Sequence, residues 1–291
     1  MQNLGLAVLF SVLVSVLLKV AKRGKIQIDQ AIAFNYISAG ALAYYVLKPN
    51  FDGVGFNQFL MTSSHMSIFI ALGFLLPTVF IIMAKAINVA GIVRADAAQR
   101  LSLILPILAS FLLFGQTLTH ARLIGIILAF LALFCLVKKP NAEKGALGVM
   151  GAVSPLLVWA GYGVIDILFK EVAKMGGAFP NTLFASFVLG GGILFIYLVL
   201  KRVEWTIPSV LGGLFLGCLN FGNILFYIKA HQSFSGNPTL VFASMNIGVI
   251  ILATLAGAAY FKEKISKINW LGLVLGVLAI WCLFYLDKFM A

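Results

Sequence analysis

Four polar side chains stand together in "GIVRADAAQRLSLILP", residues 91–106: Arg94, Asp96, Gln99 and Arg100. Asp96 and Arg100 are four residues apart, so in a helix they share a face and partly neutralise each other. Gln99 flanks that face, and Arg94, nearer the end, has the reach to snorkel to an interface. A guanidinium in this position suits a carboxylate or a phosphate, because its planar fork offers two parallel donors. A second constellation lies in "SPLLVWAGYGVIDILFK", where Trp159, Tyr162 and Asp166 follow i, i+3, i+7 and so line one helical face. Aromatic rings beside a carboxylate can hold a cationic or aromatic group, and Asp166 is the candidate to carry a coupling proton. The plainer alternative is an aromatic belt with an Asp166–Lys170 pair near the helix end. A third, "GGLFLGCLNFGNILFYIKA", repeats the spacing with Asn220, Asn223 and Tyr227. Amides facing lipid would lose hydrogen bonds, so this face turns inward, as inter-helix glue or as substrate contact.

The elements that must position these residues follow from composition. Of 291 residues, 62% are hydrophobic and 10% charged, against about 25% charged in soluble domains. A soluble fold has too little interior to hide so much apolar side chain, so the main solvent is lipid. A span needs about 20 mostly apolar residues, and that ruler finds about ten: 3–20, 30–47, 66–86, 91–114, 119–137, 146–168, 179–200, 208–230, 237–260 and 268–287. Nothing alternates as β-barrel strands do. The connector "KPNFDGVGFNQFLMTSSH" has room for an interfacial turn of helix, and the first run, "NLGLAVLFSVLVSVLL", reads as a retained helix and not a signal peptide.

The net charge of +12 does not point to nucleic acid, because the basic residues sit in short runs between apolar stretches. Cys135, Cys218 and Cys282 lie inside apolar runs with no CxxC or Cys/His cluster, so neither a metal site nor a disulfide framework is expected. His65, His120 and His231 fall near segment ends and read as interfacial. Gly190–Gly192 lack the Lys-Ser/Thr of a phosphate loop. With no cofactor motif, nucleophile cluster or paired catalytic carboxylates, the expectation is a non-enzyme whose transport is driven by a gradient, by exchange or downhill.

An internal repeat organises the chain. "LTHARLIGIILAFLALFCL" (118–136) aligns with "ISKINWLGLVLGVLAIWCL" (265–283), matching Gly125 to Gly272, Cys135 to Cys282 and Leu136 to Leu283. Upstream, Gly73 and Lys85 meet Gly217 and Lys229. The expected domains are therefore two halves, 1–141 and 142–291, of five helices each. An odd number of helices forces the second half to enter from the opposite side, giving inverted repeats with a site near the midplane. Asn246 then falls on Gln99, a pair of amides suited to a site on the pseudo-two-fold axis. The Gly213–Gly217 and Gly272–Gly276 spacings read as close helix packing. Lysines and arginines crowd the alternate connectors holding Lys22 to Lys25, Lys138 to Lys144, Lys201 to Arg202 and Lys262 to Lys267, which puts both termini outside the cytoplasm.

The stretch "SLILPILASFLLFGQTLTHARLIGIILAFLALFCLV" resembles the end of an EamA-type repeat of the drug/metabolite transporter superfamily, through Pro106, Gly115, Thr119 and Gly125. In the second half "YFKEKISKINWLGLVLGVLAIW" supplies Glu263, Ser266 and Gly272. Gln116 stands where that pattern carries Glu, Ala253 where Pro106 would have its partner, and the loop charges oppose the inside termini usual for such proteins. The resemblance implies a ten-helix, two-repeat transporter of an unspecified small molecule.

The expectation is thus an all-α polytopic protein of the inner or plasma membrane, monomeric or homodimeric. It would move a small polar or amphipathic metabolite by alternating access. Asp96 and Arg100 would orient a charged end, Trp159 and Tyr162 would hold an organic body, and Asn220, Asn223 and Asn246 would give hydrogen bonds, with Gln99 and Tyr227 counted among the substrate-binding residues. The rivals are a flippase for lipid-linked substrates and a membrane protein without transport activity.

Overall fold

The computed structural model describes residues 1–23, 26–51, 55–90, 92–137, 149–262, 265–286 and 289. The expected boundary at 141–142 lies outside the described residues, as do Glu263 and the loop lysines Lys25, Lys138, Lys139, Lys144, Lys264 and Lys288. So do the side chains of Lys19, Lys22, Arg23 and Asp96. The chain is 87% helical and has no strand among the described residues.

The helices run α1 Gln2–Arg23, α2 Ile28–Leu47, α3 Phe56–Thr62, α4 Met66–Ala90, α5 Ile92–Leu101, α6 Ile104–Leu112, α7 His120–Val137, α8 Val149–Lys174, α9 Phe179–Leu200, α10 Ile207–Ser233, α11 Pro238–Phe261 and α12 Lys267–Trp281, the last continuing as a π-turn over Cys282–Leu286. Among the described residues, five stretches are long and apolar enough to cross a membrane: Met66–Ile87, Gly176–Leu200, Ile207–Ser233, Pro238–Tyr260 and Lys267–Leu286. Shorter apolar helices cover Gln2–Leu18, Ala97–Leu112 and His120–Leu136. The short α3 occupies the connector with room for one turn.

The residues that start and stop these helices are legible. Asn237 caps α11 by accepting from the Leu240 N–H at 3.3 Å. Ser266 and Asn269 form a reciprocal capping box at α12. The Asn269 amide also donates to the Cys135 and Leu136 carbonyls at 2.9 and 3.2 Å, so one residue closes the end of α7 and the start of α12. Gly115, at φ +64, turns the chain after α6 in a conformation that costs glycine nothing.

The segment expected as one helix over 91–114 is broken between Leu101 and Ile104. Pro106 is the reason, since it has no N–H to give the Ser102 carbonyl. The turn before it tightens to i→i−3 bonds, Leu103 N–H to Arg100 at 3.3 Å and Leu105 N–H to Ser102 at 3.0 Å. That leaves the Leu101 carbonyl to a side chain from another helix.

Packing is closest where glycines face a neighbouring backbone. A Cβ on Gly213 would lie 2.5 Å from the Ala31 carbonyl oxygen, and one on Gly217 would collide with Ser38 Oγ and the Asn35 carbonyl. Ser38 crosses the same contact, donating to the Leu214 carbonyl at 2.7 Å. Thus α10 rides directly on α2. Gly125 lies against Leu283, and Gly272 against Leu136, where α7 crosses α12.

The distribution of polarity is inside-out. Leu112, Leu200, Ile207, Leu211 and Phe215 are well exposed, while Gln30, Asn35, Ser110, Lys170, Ser186, His231 and Thr239 are buried. A water-soluble surface does not carry such continuous apolar cover, and several long apolar helices fit a membrane-embedded protein.

Candidate functional site

The polar stripe of α8 meets that of α10. The Tyr227 hydroxyl donates to Asp166 Oδ1 at 3.1 Å, and the Tyr227 ring meets Phe169 edge-on at 6.2 Å. Asp166 is partly buried, and Ile165 and Phe169 beside it are buried. This pair joins two residues that sequence spacing singled out on separate helices.

One turn further along both stripes lie residues that the sequence reading assigned elsewhere. Lys170, which the plainer alternative would pair with Asp166, is only 2% exposed. Its Nζ donates instead to the Ser235 carbonyl at 3.2 Å and stands 6.0 Å from the centroid of the Phe114 ring. The i+4 position carries Lys170 past Asp166 to the connector after α10, whose carbonyl needs a donor. His231, expected at an interface, is fully buried between the rings of Tyr227 (4.8 Å) and Phe242 (4.6 Å). Neither imidazole nitrogen has a hydrogen-bond partner among the described residues, although a neutral imidazole carries one donor and one acceptor. The available signal was the i+4 step from Tyr227 to His231, which extends the α10 stripe by one turn.

The α8 stripe reaches the break between α5 and α6 through Trp159. Its indole N–H donates to the Leu101 carbonyl at 3.1 Å, the group released by Pro106. This anchors the Gln99–Arg100 turn of α5, where both side chains are partly buried, against α8. Gly161 and Gly163 make room for the contact, facing Val79 of α4 and Leu105 of α6. Tyr162 is partly buried and packs against both the main core and a small cluster of Ala86, Ala95 and Val158.

The amides divide differently. Asn223 Nδ2 donates to the Ala7 carbonyl of α1 at 3.0 Å, and so ties two helices. Asn246 donates to Phe242 of its own helix at 3.2 Å, and no hydrogen bond joins it to Gln99 among the described residues. Asn220 is partly exposed on α10. Asn35 and Tyr36, which the spacing rules passed over, bury a side-chain oxygen, Oδ1 and Oη respectively, without a hydrogen-bond partner among the described residues.

The chain is 61% identical over 291 residues, the full length of both chains, to an uncharacterized protein of Haemophilus influenzae. The two belong to one family. No family model matches the sequence. A protein of known crystal structure superposes over 100% of this chain and 99% of its own with a TM-score of 0.74 at 16% identity, a likeness of fold alone.

Within this family member, Gln116 uses both ends of its amide. Its Nε2 donates to Asn237 Oδ1 at 2.5 Å, while its Oε1 accepts from the Thr239 N–H at 3.2 Å and from the Thr239 hydroxyl at 2.5 Å. The loop after α6 is thereby fastened to the start of α11. A carboxylate would have no donor for this exchange. Among the described residues no three His, Cys, Asp or Glu side chains gather as metal ligands.

Proposed function

We propose that the chain is a secondary transporter of the drug/metabolite superfamily, EamA-like, carrying a small polar or amphipathic solute by alternating access across the inner or plasma membrane. Ten spans arranged as inverted halves, 1–141 and 142–291, with both termini outside the cytoplasm, complete the reading. Several packing relations support it. Exchange of the halves turns α1 against α10 into α8 against α4, and α2 against α10 into α9 against α4, all of them principal contacts. The α7–α12 contact maps onto itself, with Gly125 on Leu283 answered by Gly272 on Leu136.

The observation that carries the proposal is the Asp166–Tyr227 pair, a carboxyl group and a hydroxyl facing each other across two apolar helices. An ionisable group inside spanning helices costs ~2.5–3.5 kcal/mol on insertion scales, and is kept where function requires it. Asp166 carries the coupling proton in this scheme. Trp159 and the Gln99–Arg100 turn form the neighbouring part of the site, and Arg100 takes an anionic group of the solute. The test is uptake into proteoliposomes, with amino acids, sugars, phosphorylated metabolites and organic cations each offered under an imposed proton gradient. Wild-type protein should accumulate one of these classes and Asp166→Asn should not. Gradient-independent uptake equal in both proteins would overturn the assignment.

A further inference from the structure

Between α11 and α12 runs an open apolar groove of about 360 Å³. Its α12 wall is a single helical stripe: Trp270, Val274, Val277 and Leu278 line it, each roughly half exposed. Three residues before Trp270, on the same face, stands the exposed Lys267. On α11 the wall is Ile251 and Leu255, and seven residues beyond Leu255 the helix ends at the exposed Lys262, held as a left-handed C-cap at φ 55. Both helices thus reach an exposed lysine where they join at the α11–α12 connector, at one end of the groove. The connector there, Lys262 to Lys267, carries three lysines against one glutamate in sequence.

The dimensions match one molecule. From Lys267 to Leu278 a helix rises about 16 Å, half of a hydrocarbon core of about 30 Å and so the depth of one leaflet. An indole at the level of Trp270, between the cations and the aliphatic wall, is where aromatic side chains meet headgroups.

We infer that this groove binds an anionic phospholipid, its acyl chain along Trp270, Val274 and Leu278 and its phosphate at Lys262 and Lys267. The inference rests on the chain crossing a bilayer and not on its transport activity. Each lysine contributes about a fivefold preference for anionic over zwitterionic lipid.

The experiment uses the full-length protein in phosphatidylethanolamine vesicles. These are doped with an equal small fraction of either phosphatidylglycerol or phosphatidylethanolamine bearing brominated acyl chains, which quench nearby indoles. Brominated phosphatidylglycerol should quench more strongly. Trp270→Phe should remove the excess, and Lys262→Gln with Lys267→Gln should abolish the preference while helix content is unchanged. Equal quenching by the two lipids would overturn the site, as would an excess that survives Trp270→Phe. Absence of quenching by both would overturn the bilayer reading with it. Since no transport is measured, failure of the transport proposal has its own, separate signature.

Discussion

The Tyr227 hydroxyl donates to the Asp166 carboxylate across the α8–α10 contact, at 3.1 Å. Removing one partner of a buried hydrogen bond costs about 1–3 kcal/mol. Tyr227→Phe is therefore expected to lower stability by about that amount, read from thermal unfolding in detergent, and to reduce uptake. In an Asp166→Asn background the same change should cost less, and full additivity would mean that the two side chains are not coupled.

Arg100 is the test of the α5 end of the site. Arg100→Ala is expected to abolish uptake while the protein still inserts and keeps its helix content. Wild-type uptake by that variant would remove the α5 turn from the binding site.

Trp159 and Pro106 should be energetically linked, because the indole N–H serves a carbonyl that proline releases. Trp159→Phe leaves that carbonyl without its donor, at a cost of about 1–3 kcal/mol. Pro106→Ala restores an N–H to the helix ladder, so the cost of Trp159→Phe should shrink in that background. Equal costs in both backgrounds, measured as shifts in unfolding midpoint, would refute the link.

Gly217 offers a steric prediction. Alanine there drives a methyl group into Ser38 and the Asn35 backbone, and overpacking of this kind costs about 1–3 kcal/mol or more. Gly5 of α1 is the control, because the methyl group of an alanine there would meet nothing within 4 Å. Gly5→Ala should leave the unfolding midpoint unchanged or slightly raised.

Gln116→Glu deletes the donor to Asn237 while keeping the shape of the side chain. Two acceptors, the one at position 116 buried, then face each other, and a loss of about 1–3 kcal/mol is expected. An unchanged midpoint would mean that the loop after α6 is held by other contacts.

How far the fold and the site could be read beforehand depended on which force set each feature. The bounds of helices α2, α4, α7, α9, α10 and α11 were legible to within a few residues, because the chain carries the lengths of its apolar helices in its composition. The i, i+3, i+7 stripes on α8 and α10 were legible too, since helical periodicity alone puts Trp159, Tyr162 and Asp166, or Asn220, Asn223 and Tyr227, on one face. The break at Leu101–Ile104 could have been anticipated from Pro106.

What stripes and spans could not determine is which neighbour each polar group would meet. Asp166 finds Tyr227 and not Lys170; Trp159 finds a backbone carbonyl; Asn223 ties α10 to α1; His231 lies buried with no partner for its ring nitrogens among the described residues. Those outcomes follow from the azimuth and axial register of one helix against another. Register is decided by contacts such as Gly217 on Asn35 and Gly125 on Leu283, made between residues far apart in the chain. Local propensity and apolar periodicity carry no term for such contacts, so only the packed bundle could decide them.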